Sequence, residues 1–349
     1  MFSKLRSLIF KLDPETAHNL AIKSLKFNLV PNIFDENKND PMFKANLFEK
    51  QIENPIGLAA GFDKNAEVYN SLFRLGFGFV EAGTVTPIKQ LGNPKPRVFR
   101  LEEDQALINR LGFNSFGADN VSSKIKSNQP TGLLGVNIGP NKDSKDKLND
   151  YLICLKKFHD IADYITINIS SPNTENLRDF HDQNKLEKLI GSIDLQMKEL
   201  KSNTPIVVKI SPDILDEQAI QVSEILLNYQ IKAIIVSNTT EGKRENLINI
   251  SKHQKGGLSG KPLESRSNQL INIFYNLLKG KILIIGVGGV DSGESAYTKF
   301  LAGANFIQLY TGMVYEGPNI VVKIKKELKG LLINKGVSNF QDIIGKKEN

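Results

Sequence analysis

Residues 163–173 read Asp-Tyr-Ile-Thr-Ile-Asn-Ile-Ser-Ser-Pro-Asn. The apolar, β-branched run Tyr164–Ile169 has the composition of a strand buried on both faces, as strands of parallel sheets are. It delivers two amides (Asn168, Asn173) and two hydroxyls (Ser170, Ser171) into one turn, which Pro172 stiffens. In parallel α/β proteins ligands bind at such strand ends. Alone, an Asn/Ser/Pro turn is also ordinary loop chemistry. The fold is decided by recurrence, because the same arrangement appears at other strand-like runs.

Those runs are Pro55–Ala60, Phe79–Thr84, Leu133–Ile138, Tyr164–Ile169, Ile206–Ile210, Ala233–Ser237, Ile282–Val287 and Phe306–Leu309, eight in all. Amphipathic or charged segments of helical character lie between most of them, for example Leu186–Lys201 and Asp216–Tyr229. Eight βα units predict an α/β fold of the (β/α)8 TIM barrel type, with its active site at the C-terminal strand ends. A doubly wound open sheet is the alternative. Arg97–Asn109 reads as an inserted hairpin.

Residues 1–28 read as two short helices. Phe2, Leu5, Leu8, Ile9 and Leu12 keep helical spacing with Lys4, Arg6 and Lys11 between them; Asp13-Pro-Glu15 then supplies an N-cap, a first-turn proline and a first-turn acid. The second helix carries Ala17, His18, Leu20, Ala21 and Leu25. With five Lys/Arg and two Asp/Glu in residues 1–28, such a pair can lie on a membrane interface or pack on the main domain. The expected division is a hairpin and polar linker at 1–40 and a barrel at 41–349.

The 349 residues are 40% hydrophobic and 24% charged, enough for a full core. One cysteine, Cys154, excludes a disulfide framework and a cysteine-rich metal cluster; within Tyr151–Leu155 it reads as core. The four histidines, His18, His159, His181 and His253, follow no strand run. There is no HExxH, so neither a metal site nor a histidine-based catalytic pair is expected. The net charge of +7 is dispersed and lacks the basic-aromatic pattern of nucleic-acid binding. It suits anionic ligands or anionic membranes. No stretch approaches the roughly 18 apolar residues that span a bilayer, so any membrane association is peripheral. Without disulfides or a signal-peptide pattern the chain reads as cytosol-facing.

The strand ends carry the chemistry. Ala59-Ala-Gly61-Phe-Asp-Lys64 offers close backbone approach and a cation; Glu81-Ala-Gly-Thr-Val-Thr86 offers hydroxyls; Gly135-Val-Asn137-Ile-Gly139 and Ser237-Asn-Thr-Thr240 add amides and hydroxyls. Lys209 lies inside an apolar strand, which is costly without a partner. That partner is either an internal carboxylate or an electron-rich cofactor. Gly256–Gly260 before a helix, Gly286–Gly289 after the seventh run and Tyr310–Gly312 after the eighth suit a phosphate. If a base is needed, Ser171 is the best placed.

The segments Leu12–Glu15, Gly57–Lys64, Glu81–Pro87, Ile108–Asn114, Asn168–Asn173, Ser237–Thr240, Gly256–Pro262 and Gly286–Gly289 together resemble dihydroorotate dehydrogenase of the quinone-linked, membrane-associated class 2. The resemblance runs along almost the whole chain. It implies one FMN on top of the barrel, contacted by Ala60, Gly61, Phe62, Asp63, Lys64, Thr84, Asn137, Asn168, Lys209, Ser237, Gly260, Gly289, Tyr310 and Thr311. Lys209 would stabilise negative charge on reduced flavin, and the amides around Gly289 and Thr311 would take the phosphate. Substrate contacts carry over to Lys64, Asn109, Arg110, Leu111, Gly112, Phe113, Asn168, Asn173, Asn238 and Thr239. Orotate alternates C=O and N–H around a flat ring and carries a carboxylate, which suits asparagine amides and Lys64.

By the same resemblance Ser171 removes the C5 proton of dihydroorotate while hydride leaves C6 for flavin N5. Class 1 relatives use cysteine, and Cys154 lies outside every matching motif. A serine base needs activation or a relay, with Thr174 or a water as options. Residues 1–28 become the quinone entry and the peripheral membrane contact, at the cytoplasmic face of a bacterial membrane. The implied role is in pyrimidine biosynthesis, by a monomer. Another FMN barrel oxidoreductase or a non-redox phosphate-binding barrel would be the competing functions.

Overall fold

A computed structural model describes residues 2–29, 35, 39–242 and 244–346, without the side chains of residues 2–4. Most of the linker expected at Asn32–Asp40 falls outside the described residues, as do the side chains of Phe2 and Lys4.

Eight parallel strands close into a barrel: β1 (Ile56–Leu58), β2 (Phe79–Val85), β3 (Leu133–Ile138), β4 (Tyr164–Asn168), β5 (Ile206–Ile210), β6 (Ile231–Val236), β7 (Leu283–Val287) and β8 (Phe306–Leu309). Each pairs with its neighbours in sequence, and β8 pairs with β1. All eight expected runs are strands, displaced by at most a few residues. The open sheet is thereby excluded. Helices such as Lys147–Phe158, Gln183–Glu199 and Asp216–Asn228 follow the strands and bury one apolar face each on the barrel.

Glycines on β1 and β3 make room for aromatic rings inside the barrel. A methyl group at Gly57 would lie 2.4 Å from the Phe79 ring, and one at Gly135 would lie 2.1 Å from the Tyr164 ring. Phe48, in the tight turn of a hairpin formed by Ala45–Leu47 and Lys50–Ile52, covers Tyr164 at 5.3 Å. This hairpin, absent from the sequence expectations, closes the N-terminal end. Above it Glu81 is fully buried, and its carboxylate accepts from Asn137 (2.8 Å), Tyr164, Thr166 and Gln308 (each 3.1 Å). Four donors make a buried carboxylate tolerable.

Arg97–Asn109 contains the expected hairpin, Val98–Leu101 paired with Ala106–Asn109. Gly257–Gly260 adds a third strand to it. This corrects the reading of Gly256–Gly260 as a turn: Leu258 exchanges backbone bonds with Thr240 at 2.7 and 3.0 Å, and Gly257 has no side chain to strike Thr239. The expected helix, Glu264–Leu278, begins after a single 3-10 turn.

Helices α1 (Phe2–Ile9) and α2 (Pro14–Lys26) form as expected, with Asp13 capping the Thr16 N–H at 2.9 Å. Glu15 grips Arg97 through two bonds of 3.1 and 2.7 Å, with side chains only 14% and 8% exposed. Losing one partner of such a pair costs about 1–3 kcal/mol. The Lys26–Glu67 contact at 3.6 Å, with Lys26 56% exposed, contributes little by comparison. Glu15–Arg97 is therefore the main electrostatic anchor of α2. Arg6 donates to the Tyr315 carbonyl at 3.0 Å, and the Phe10 ring meets the Tyr315 ring edge-on at 5.5 Å. The hairpin packs on the barrel and still turns Leu5, Leu8, Leu20 and Phe27 outward.

A candidate active site at the open end of the barrel

The C-terminal strand ends and the three-stranded sheet enclose a cavity of about 1310 Å³, counting its mouth. Ala60, Gly61, Lys64, Thr84, Asn168, Lys209, Ser237, Gly260, Gly289, Tyr310 and Thr311 line it, as do Asn109, Leu111, Gly112, Phe113, Ser171, Asn173, Asn238 and Thr239. Four expected residues lie off its wall, each held elsewhere. Phe62 packs between the His18 and Tyr310 rings. The Asp63 carboxylate accepts from the Glu67 and Val68 N–H groups at 2.7 and 2.8 Å and shapes the loop. Asn137 sits one layer down on Glu81. Arg110 turns outward over the Phe99 ring and onto the Pro96 carbonyl.

The amides form a linked set. Asn168 donates to Thr84 Oγ1 (3.0 Å) and Asn137 Oδ1 (3.1 Å), and its Oδ1 accepts from Ser170 Oγ (2.7 Å). Asn238 donates to Ser170 Oγ at 2.8 Å, and Asn173 donates to Asn109 Oδ1 at 3.2 Å. Ser171 is 5% exposed and its Oγ accepts only the Asn173 N–H, at 3.2 Å. Among the described residues no hydrogen bond joins it to Thr174. Among the described residues two buried side-chain oxygens in the wall, Thr239 Oγ1 and Asn114 Oδ1, have no hydrogen-bond partner. A buried orphan acceptor is costly, so these two are set to receive a ligand's N–H or O–H. The contacts expected from the sequence stop at Phe113, one residue short of Asn114, although the matching segment Ile108–Asn114 includes it.

Two lysines bring charge to the cavity. Lys209 is 5% exposed, and its ammonium makes no hydrogen bond or ion pair among the described residues. Burial lowers its pKa and the Glu81 charge partly opposes this. The internal carboxylate thus exists but is no direct partner. Burial brings Lys64 down to about 8, with Glu15 working against the shift and Arg97 with it. His18 was also missed: α2 lays its ring on Phe62 at 5.1 Å, and burial with the nearby Lys64 drops its pKa to about 3. No local sequence signal places it there, because the contact is tertiary. The cavity continues past Val98 and Leu107 to Tyr315 and Glu316, toward the residues that α1 touches.

The model of the family described as "Dihydroorotate dehydrogenase" matches residues 42–332. A "Dihydroorotate dehydrogenase (quinone)" of Bartonella tribocorum is 45% identical over 341 residues, covering 97% of this chain and 94% of that protein. One of the same name from Buchnera aphidicola is 44% identical, covering 93% and 98%. The crystal structure of DHODH from Eimeria tenella in complex with ferulenol superposes with a TM-score of 0.91 at 38% identity, covering 95% of each chain. The barrel, the cavity at its C-terminal end and these likenesses agree: the chain belongs to the dihydroorotate dehydrogenase family of oxidoreductases.

Proposed function

We propose that this protein oxidises dihydroorotate to orotate and passes the electrons to a quinone by way of FMN. The observation that carries the reading is one cavity lined by the Ser171 hydroxyl, five asparagine amides, glycine turns and the lysines Lys64 and Lys209, the latter without a hydrogen-bond or ion-pair partner among the described residues. The residues fit FMN. A side chain at Gly61 would project into open space, Gly289 lies at φ +79, and Lys209 has no hydrogen-bond or ion-pair partner among the described residues. Ala60, Gly61, Thr84, Asn168, Lys209, Ser237, Gly260, Gly289, Tyr310 and Thr311 would hold it, with Asn137 supporting from beneath. When bound, FMN supplies the acceptor for the hydride from C6.

The protein's own part is binding, orientation and proton removal. Lys64 balances the substrate carboxylate, and Asn109, Asn173, Asn238 and Thr239 complement the ring edges. Leu111, Gly112 and Phe113 close over them. Ser171 Oγ takes the C5 proton as its own hydroxyl proton passes to water, and the electron pair left at C5 forms the new C5=C6 bond as the hydride departs. Lys209 holds positive charge beneath the site where negative charge develops. The outward apolar side chains of α1 and α2 would rest on a membrane, where quinone could reach the cavity past Tyr315. No helix among the described residues is long and apolar enough to cross one, which fits a peripheral association.

The test is anaerobic. FMN-loaded protein mixed with dihydroorotate should lose its flavin absorbance and regain it on adding a quinone. Ser171→Ala should keep FMN and slow the bleaching by at least a hundredfold. Protein that binds FMN but never bleaches would refute the proposed reaction, and unchanged bleaching in Ser171→Ala would refute the base.

A further inference from the structure

Arg178 lies on the 3-10 turn Arg178–His181, off the cavity wall. Its guanidinium nevertheless reaches three rim loops. Nε donates to the Ser170 carbonyl at 3.2 Å, after β4; Nη2 donates to the Thr239 carbonyl at 3.1 Å, after β6. Nη1 donates to the Asp213 carboxylate at 2.9 Å, after β5, and to Glu241 at 3.3 Å. Asp213 itself accepts from the Thr240 hydroxyl and from the Glu241 N–H at 2.9 Å. From the other side His181 meets the Arg178 carbonyl through Nδ1 at 2.9 Å and accepts the Ser211 N–H at Nε2 at 3.3 Å.

Two of the bonded carbonyls adjoin reacting groups. Ser170 precedes Ser171, and Thr239 follows Asn238 and carries an orphan hydroxyl in the cavity wall. Ser171 Oγ has one weak internal bond, so its position is set almost wholly by its backbone. Displacing a reacting group by about 1 Å can cost about a hundredfold in rate. A planar guanidinium holds its five donors in a rigid fork, so it fixes the three loops relative to one another in a way that a compact ammonium on a flexible stem does not.

We propose that Arg178, oriented by Asp213, is a positioning residue for proton removal: it clasps the Ser171 loop to the Asn238–Thr239 loop. The inference rests on the reading of Ser171 as the base. The full FMN-loaded chain tests it in two half-reactions, flavin reduction by saturating dihydroorotate and reoxidation of dithionite-reduced protein by decyl-ubiquinone. Arg178→Met should slow reduction about 10- to 100-fold, with reoxidation and FMN content unchanged. Arg178→Lys should fall between it and the parent, and decides by the same two rates if Arg178→Met does not retain FMN. Orotate should protect residues 173–182 from proteolysis in the parent and fail to do so in Arg178→Met. Wild-type reduction in both variants, or reduction and reoxidation falling together, would overturn the clasp. Ser171→Ala separates the two readings: if it reduces normally, the base and the clasp both fall; if it is slow while Arg178→Met is fast, only the clasp falls.

Discussion

Lys64 stands in the cavity with its pKa brought to about 8 by burial, so the cation proposed to bind dihydroorotate is lost within an accessible pH range. Below about 8 the ammonium is charged and meets the substrate carboxylate; above it the neutral amine does not. KM for dihydroorotate is therefore expected to be flat near pH 7 and to climb above pH 8, approaching about tenfold per pH unit. Lys64→Met should show a high KM that does not change with pH, and steady-state kinetics between pH 6.5 and 9.5 would check both. The polar rim was legible at this scale because strand ends are local: Asn168, Ser171, Asn173, Asn238 and Thr239 each follow an apolar run. Phe62, Asp63, Asn137 and Arg110 were expected at the wall on the resemblance alone. Asn137, on β3, points into the barrel interior toward Glu81, whereas Phe62, Asp63 and Arg110 lie in loops past the strand ends and are held by a ring stack, by backbone N–H groups and by the outer sheet. Glu81 lies in a legible strand, but its role as the hub of four donors depends on β3, β4 and β8 and has no local signature.

At the level of elements, α2 carries the contact between hairpin and barrel. Glu15 anchors it to Arg97, and His18 covers Phe62 beside the cavity. Deleting residues 1–28 should leave flavin reduction by dihydroorotate near the parent rate and impair reoxidation by quinone at least tenfold. Equal quinone turnover in a stopped-flow comparison would remove the proposed role of the hairpin. The eight barrel strands and both N-terminal helices were readable because each is a sustained pattern: runs apolar on both faces, or helical spacing with a cap. The hairpin Ala45–Leu47/Lys50–Ile52 and the strand Gly257–Gly260 were not. Three or four residues are too few for a period of two to show, and Gly257–Gly260 finds its partner near residue 108, far away in the chain.

Across the whole molecule a buried histidine, His181, and a partly buried one, His18, couple folding to pH. Burial holds His181 near 4 and His18 near 3, against an ordinary 6.5. Between those values the unfolded chain binds protons that the folded chain refuses, so stability rises with pH from about 4 to about 6.5. Each histidine contributes up to about 1.4 kcal/mol per pH unit within its window. Thermal unfolding should show Tm falling from pH 7 to pH 5, and the fall should be smaller in His181→Gln. The closed ring of strands was legible as a whole because eight units leave few other topologies. The cavity's extent toward Tyr315 was not, since it depends on how the hairpin and the third strand settle over the rim. The lone thiol carries a separate consequence. Cys154 is fully buried against the barrel, with Sγ 3.9 Å from the Val85 carbonyl and its ionisation suppressed by burial. An alkylating reagent can reach it only when the helix Lys147–Phe158 lifts from β2. Labelling should therefore be single-site and slow in native protein, and its rate would count those openings one molecule at a time. The protein thus contains its own clock for breathing motions, with no engineered probe required.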